Sequence, residues 1–361
     1  STLPETENKQ VALRLLSIAA DAAYRLGDLT QAESLCDTSD YTELAPSSPE
    51  FLSLRNTLGK VFLFREKFDD AEALFTLNLG HARVTKETSH QAKALINLGV
   101  VQLQRSAPDD ALEKFEEARL LCESTGDLAN LSISLENLAV LYHRRQAFAQ
   151  ALAFYHQSTA TSRRLGGKSQ LTTSAMNLAD LYLTVGDGVR AKRLADIARD
   201  YIRRFHLRFL EPQSIMLDGD LARFEGDSSR AAERYSAAIS HIERGDHSNQ
   251  RLGSLLWAQA ELCLEQGEAG AAQEYVEQVM ALQSGLSETL SVRLRMTRGG
   301  ILSAQNDLEN AILELEAAVH AAVVRDDREA VWQARARLAL SYWQRSDFDE
   351  AKAALTRALE V

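Results

Sequence analysis

The chain has 361 residues, with 40 Lys and Arg against 51 Asp and Glu, a formal net charge of −11 and a sequence pI near 5.3. That balance excludes general phosphate-backbone binding, which needs a basic footprint, so no direct nucleic-acid partner is expected. No apolar run approaches a membrane span and no basic-then-apolar leader opens the chain, and three widely spaced cysteines (Cys36, Cys122 and Cys263) suit a reducing, cytoplasmic compartment, with Cys36 and Cys263 on core positions.

In chain order, residues 1–7 are expected to be frayed. A first helix pair then spans 8–38 and turns at Gly27-Asp28. Residues 38–49 form the least regular linker, closed by Ser48 as an N-cap and Pro49 at the first helical position. A second pair, 50–86, turns at Glu66-Lys67. A third, 90–124, turns between Ser106 and Pro108. The fourth, 129–166, turns at Gln146-Ala147, and the fifth, 170–208, at Gly186-Asp187-Gly188. Glu211-Pro212 opens the sixth, 212–246, which turns at Gly226-Asp227. The seventh, 250–285, turns at Gly267; the eighth, 287–325, at Asn306-Asp307; the ninth, 329–361, at Ser346-Asp347. Most of these turn residues tolerate tight backbone. The final helix carries Ala354, Leu355, Ala358 and Leu359 with nothing after it to cover them. With Ser1 rather than Met at the start, this predicts a fragment of a longer protein, or an end that docks on something.

One alanine follows each turn: Ala32, Ala71, Ala111, Ala151, Ala191, Ala231, Ala272, Ala311 and Ala351, separated by 39, 40, 40, 40, 40, 41, 39 and 40 residues. A fixed period of this size is the signature of a solenoid, in which each repeat contacts its neighbours. Twelve residues earlier stand Ala20, Gly59, Gly99, Ala139, Ala179, Gly219, Ala260, Gly299 and Ala339, all small. Two helices packed closely antiparallel leave little room where their axes approach, so one small residue from each helix is expected at the crossing.

These two rows resemble the tetratricopeptide repeat, in a longer form than the family's usual period of about 34 residues. The spacing is similar to that of kinesin light chains and of many bacterial regulators, and the resemblance covers nearly the whole chain. It implies an all-α, right-handed superhelical solenoid of about nine helix pairs whose concave groove binds partners. The family also departs here at one place. Leu58, Leu98, Leu138 and Leu178 precede the small residue in repeats two to five, but Asp218, Gln259 and Arg298 stand there in repeats six to eight. Buried charge needs a partner, so either these helices are rotated or Asp218 and Arg298 are exposed.

No catalytic or metal constellation is present in the sequence. Gly166-Gly167-Lys168-Ser169 has the tail of a phosphate loop, but Ser162 replaces its first glycine and the segment joins two helices. His143 and His156 lack metal-spaced partners, and no serine or cysteine sits in a nucleophile elbow. No enzyme, cofactor or metal is expected.

Three rows mark the expected groove. Fifteen residues before the markers, Met176, Met216 and Met296 flank Trp257, with Glu136 earlier in the row. Such a stripe either offers an adaptable apolar surface to a peptide or fills space between first helices. Four residues on, Asp180, Asp220 and Glu261 make an acidic flank with Glu265, Asp218 and Glu225 near, either for a basic amphipathic partner or as a solvated face. Asn97, Asn137 and Asn177 recur every 40 residues. An amide offers donor and acceptor. In peptide-binding relatives such as kinesin light chains, asparagine at this place holds an extended backbone, so the resemblance implies the same ladder here; the alternative is a bond to neighbouring helix backbone. Lys93, Gln104, Glu136, His143 and Arg144 would surround the ladder. The basic run with Arg199, Arg203, Arg204, His206 and Arg208 reads best as an ordinary helix C-terminus.

The sequence therefore points to a non-enzymatic scaffold that binds a peptide or protein partner, centred on repeats three to seven, in signalling or regulation. Two other classes stay open: a small-molecule-sensing domain of a bacterial transcription activator, NTPase or kinase, with a closed pocket of convergent polar groups, and self-assembly through the terminal helices. Only nine of the 40 basic residues are Lys, which points to a GC-rich bacterial genome.

Overall fold

The computed structural model describes residues 5–37, 47–105, 107–243, 249–282 and 287–360. Most of the expected linker and the first turn residue of repeat three, Ser106, lie outside these segments. Among the described residues there are eighteen α-helices and no strand. They run as pairs: α1 (Glu5–Leu26) and α2 (Leu29–Leu35), α3 (Pro49–Phe64) and α4 (Phe68–Thr85), α5 (Thr88–Gln104) and α6 (Pro108–Thr125), α7 (Leu128–Arg144) and α8 (Phe148–Leu165), α9 (Lys168–Thr184) and α10 (Gly188–Phe205). The remaining pairs are α11 (Glu211–Phe224) and α12 (Ser228–Glu243), α13 (Asn249–Glu265) and α14 (Ala269–Met280), α15 (Glu288–Ala304) and α16 (Leu308–Val324), α17 (Arg328–Arg345) and α18 (Phe348–Leu359). Successive first helices pack on one another from α1 to α11 and again from α13 to α17, and each second helix packs on the first helices either side of it. The first helix of the chain begins at Glu5, so residues 5–7, expected to fray, are helical.

The turn has one form in eight of the nine pairs, the third lying partly outside the described residues. Gly27, Glu66, Gln146, Gly186, Gly226, Gly267, Asn306 and Ser346, each five residues before its marker alanine, have positive φ. The next amide reaches back to close the first helix, as in Lys67 N–H to the Phe62 carbonyl at 2.9 Å and Ala147 N–H to the Tyr142 carbonyl at 2.9 Å. Ser48 precedes Pro49 as expected, but its side chain makes no capping bond.

The small-residue row works differently from the small-against-small crossing expected. A Cβ on Gly59, Gly99 or Gly219 would lie 2.5 Å from the ring of Phe75, Phe115 or Tyr235, and one on Gly299 2.5 Å from Leu315 Cγ. Those partners stand four residues after the marker alanines, and all are buried. The missing side chain on the first helix makes the socket, and a large side chain of the second helix fills it.

The Asp218, Gln259 and Arg298 departures do not rotate the helices. Gly219 and Gly299 keep their sockets in the same repeats. Asp218 is buried, not exposed, and pairs with Arg199 at 3.3 Å. Gln259 donates to the Ala232 carbonyl at 3.0 Å and to Ser236 Oγ at 2.9 Å. Arg298 is half-buried and meets Glu314 at 3.1 Å. Local partners satisfy each polar group in place of leucine packing.

The array curls until distant repeats face each other. Arg145, just past α7, meets Asp326 of the α16–α17 turn at 3.5 Å. Arg251 of α13 lies over the Phe64 ring of α3 at 5.1 Å. The inner surface of the first helices thus becomes the wall of an interior with protein on opposite sides.

Candidate functional site

The inner faces of α1, α3, α5 and α7 form a cleft of about 400 Å³ that contains Asn56, Lys60, Lys93 and Asn97. Asn97 Nδ2 donates to Asn56 Oδ1 at 2.6 Å, one repeat back. Asn177 Nδ2 donates to Glu136 Oε1 at 2.7 Å, again one repeat back. Asn137 Nδ2 turns to its own helix, to the Ile133 carbonyl at 2.9 Å. Each amide nitrogen thus serves a neighbouring group. Their side-chain oxygens accept no hydrogen bond from a described residue, and the three side chains are half-buried. Lys93 and Asp180 are exposed on the same first-helix faces without a salt-bridge partner.

Three of the expected contact residues are buried: Glu136, Met176 and Glu261. Their rows turn inward between successive first helices, so they build the wall rather than line it. Met296 of the same stripe is also buried, whereas Met216 and Trp257 are half-buried. Met216 lines a second cleft, of about 380 Å³, between α1 and α3 on one side and α11 and α13 on the other. Trp257 Nε1 donates to Thr297 Oγ1 at 3.0 Å, and Arg293 lies over its ring at 4.8 Å. Most of the stripe is therefore packing between first helices.

The two buried carboxylates are handled in opposite ways. Glu136 accepts from Ser158 at 2.8 Å, from Asn177 and from Ser174. No cation reaches it; burial pushes its pKa up, and the hydrogen bonds only partly offset this. Glu261 is paired with Arg337, whose Nη1 donates to it at 3.0 Å, and accepts from Thr297 at 2.6 Å, with Arg223 at 3.9 Å. Burial alone would raise its pKa, but Arg337, Thr297 and Arg223 outweigh it and hold the carboxyl below its usual value. Gly300 leaves the space that Leu264 fills; a Cβ there would lie 2.6 Å from Leu264 Cδ2, with Arg337 Nη1 at an ordinary contact distance of 3.6 Å.

The acidic flank is mostly consumed internally. Glu265 binds Arg223, and Glu225 binds Lys192 at 2.6 Å. Asp220 accepts from Tyr235 at 2.7 Å; burial raises its pKa to about 6, the Tyr235 bond opposing and the Asp180 charge adding to it. His143 Nε2 is 3.3 Å from Thr184 Oγ1, and burial lowers its pKa although Asp180 acts the other way. Arg144 is exposed to the interior and makes no ion pair. In the basic run, Arg199 pairs with Asp196 and Asp218, and Arg203 with Asp200 at 3.5 Å.

Sequence reasoning missed Arg223, Arg293 and Arg337. The signal was present for all three: Arg293 stands in the row of Lys93, Arg223 in the row of His143, and Arg337 in the row of Asn97, Asn137 and Asn177. Cys122 is buried like Cys36, while Cys263 is half-buried. Among the described residues no helix is long and apolar enough to cross a membrane.

Fold and interior define a class: a superhelical array of antiparallel helix pairs with a polar inner wall. Family models described as tetratricopeptide repeat match residues 13–38, 56–121 and 333–361. The chain is an array of tetratricopeptide repeats. No curated protein matches the sequence significantly. Among solved structures, it is similar to a Rap protein complexed with competence and sporulation factor, at 12% identity and TM-score 0.73, over 98% of this chain and 97% of that one. NprR in complex with its cognate peptide NprX matches at 12% identity and TM-score 0.61, over 86% and 89%. The apo quorum sensor NprR from B. thuringiensis matches at 12% identity and TM-score 0.60, over 98% of each chain. At these identities the likeness is one of fold.

Proposed function

We propose that this chain is a non-enzymatic regulatory scaffold that takes up an extended peptide in its interior, along α5, α7 and α9. One observation carries the reading. Asn97, Asn137 and Asn177 leave one unengaged carbonyl oxygen per repeat on consecutive first helices, and a peptide backbone supplies N–H donors for them. Lys93, His143, Arg144 and Asp180 flank this row as polar contacts, with Met216, Trp257 and the hydrogen-bonded Asp220 further along. The buried Glu136, Met176 and Glu261 act behind it as supports. One structure of similar fold, NprR, holds its cognate peptide by its own description, and another, a Rap protein, holds competence and sporulation factor, which supports the same use of this interior.

A peptide library screened by fluorescence polarisation tests the reading, with wild type beside an Asn97→Ala/Asn137→Ala/Asn177→Ala triple variant. The expected result is binding that the triple variant loses at unchanged helicity and melting temperature. Equal binding by both proteins removes the ladder from the mechanism.

A second reading, self-association through the last pair, is favoured by exposed Leu340, Trp343 and Leu359, at 64%, 64% and 77% of their full surface. Sedimentation velocity decides it: a mass that rises with concentration supports it, and a monomer throughout contradicts it.

A further inference from the structure

Where α7 approaches α15 and the start of α17, the interior narrows to a cavity of about 190 Å³. Four guanidinium groups reach it: Arg144, Arg145, Arg293 and Arg325. Two are engaged by carboxylates. Arg145 binds Asp109 at 2.5 Å and Asp326 at 3.5 Å. Arg325 binds Glu288 at 2.5 Å and Thr289 at 2.7 Å. Arg293 touches only the Trp257 ring among charged or aromatic partners. Arg144 has no ion pair and no hydrogen bond, not even to the carbonyls that end its own helix.

The acids of the cavity are committed elsewhere. Asp326 faces Arg145. Asp327 caps α17, accepting from Ala330 N–H at 3.0 Å. Glu329 accepts from Gln333 at 3.1 Å; burial raises its pKa and the Arg293 charge acts the other way, without an ion pair between the two. Burial and the like charges of Arg293 and Arg325 act against the Arg144 cation, with Asp327 opposing them. Two cations without an ion pair, held near one another by folding, are stabilised by an anion between them.

We infer that Arg144 and Arg293 form an anion-binding site that takes a carboxylate or phosphate group of the ligand entering this interior. The inference deepens the peptide reading, since it rests on the interior being where the ligand goes. It uses residues outside the asparagine row and fails separately from it. Charge-assisted bonds from two arginines fix one end of a ligand and so set its direction along the helices. Planar guanidinium groups suit carboxylate and phosphate oxygens equally, so the chemistry of the site is the anionic oxygen pair itself.

The test uses the full chain with Trp332→Phe and Trp343→Phe, so that Trp257 alone reports on Arg293. Succinate and inorganic phosphate are titrated separately at constant ionic strength while Trp257 emission is followed. The expected result is a saturable change, with a Kd raised tenfold or more in Arg144→Gln and partly restored in Arg144→Lys. Arg203→Gln, on the outer basic run, should leave the Kd unchanged. Tighter succinate binding assigns a carboxylate, and tighter phosphate binding a phosphate; either supports the site. No saturable change with either anion overturns it, as does an unchanged Kd in an Arg144→Gln protein of normal melting temperature. Saturable anion binding beside peptide binding that is equal in wild type and the asparagine variant fails the ladder alone, and peptide binding lost in the asparagine variant without saturable anion binding fails the anion site alone.

Discussion

Repeats three to five and repeats six to nine share a backbone plan but treat their inner polar groups differently. In the earlier repeats the wall is built from leucines at 98, 138 and 178, a Glu136 without a cation, and amides with an unengaged oxygen. In the later repeats Arg223, Glu261, Thr297 and Arg337 bind one another across four first helices. The contrast separates two uses of polarity inside one array. Paired charge fixes the geometry of the later repeats, whereas unengaged amides leave the earlier ones able to bind.

The largest effect should come from breaking the later network. Glu261→Gln leaves Arg337 without its carboxylate and is expected to cost about 3 kcal/mol, the order seen when one partner of a buried pair is removed. Glu136→Gln should cost less, about 1 kcal/mol, because no partner charge is left stranded and the amide oxygen still accepts from the neutral donors around it. Urea unfolding of both variants measures the difference, and equal costs would remove the distinction between the two halves.

Next in size is the socket of repeat three. Gly99→Ala forces the Phe115 ring to move, for about 2 kcal/mol of overpacking. Gly80→Ala meets nothing within 4 Å on α4 and should stabilise slightly through helix propensity. Thermal melts of the two variants moving in opposite directions sharpen the account of the small-residue row.

The pH response should be smaller and of defined sign. Asp220 is raised to about 6 from an ordinary value of 3.8. The folded state therefore holds its proton more tightly than the unfolded state, and stability is lost as pH rises from 3.8 through 6. Glu136, also raised, adds to that loss above 4.5, whereas Glu261, held low, contributes stability that is lost only as pH falls below 4.5. Asp220→Asn should flatten the decline in melting temperature between pH 4 and pH 7; an unaltered slope would exclude Asp220 as its source. Smallest is Asn137→Ala, which removes a bond to its own helix and should change stability by about 0.5 kcal/mol or less, while weakening any peptide held by the ladder.

Much of the fold was legible because it is periodic. The marker alanines placed every second helix, and the eight described turn residues five positions earlier have positive φ, as residues that tolerate tight backbone allow. The sockets were half legible: small residues were seen, but the large side chains that fill them stand sixteen residues on and change type from Phe to Tyr to Leu. The acidic flank misled because single rows show charge but not partners. Glu261 reads as a groove carboxylate until Arg337, 76 residues away, is brought onto it. The meeting of Arg144 with Arg293 depends on how far the superhelix curls, a sum of small rotations that no local pattern encodes.

The central claim is that the ligand lies against the first helices. Photo-crosslinking answers it most directly, using a peptide selected by the screen, a photoreactive residue at each position in turn, and mass-spectrometric mapping. Crosslinks confined to the first helices, on α5, α7, α9, α11, α13 and α15 and at or beside Lys93, Asn97, Asn137, Arg144, Asp180 and Arg293, are the predicted result. Crosslinks on the outer helices α6, α8 and α10 would contradict it.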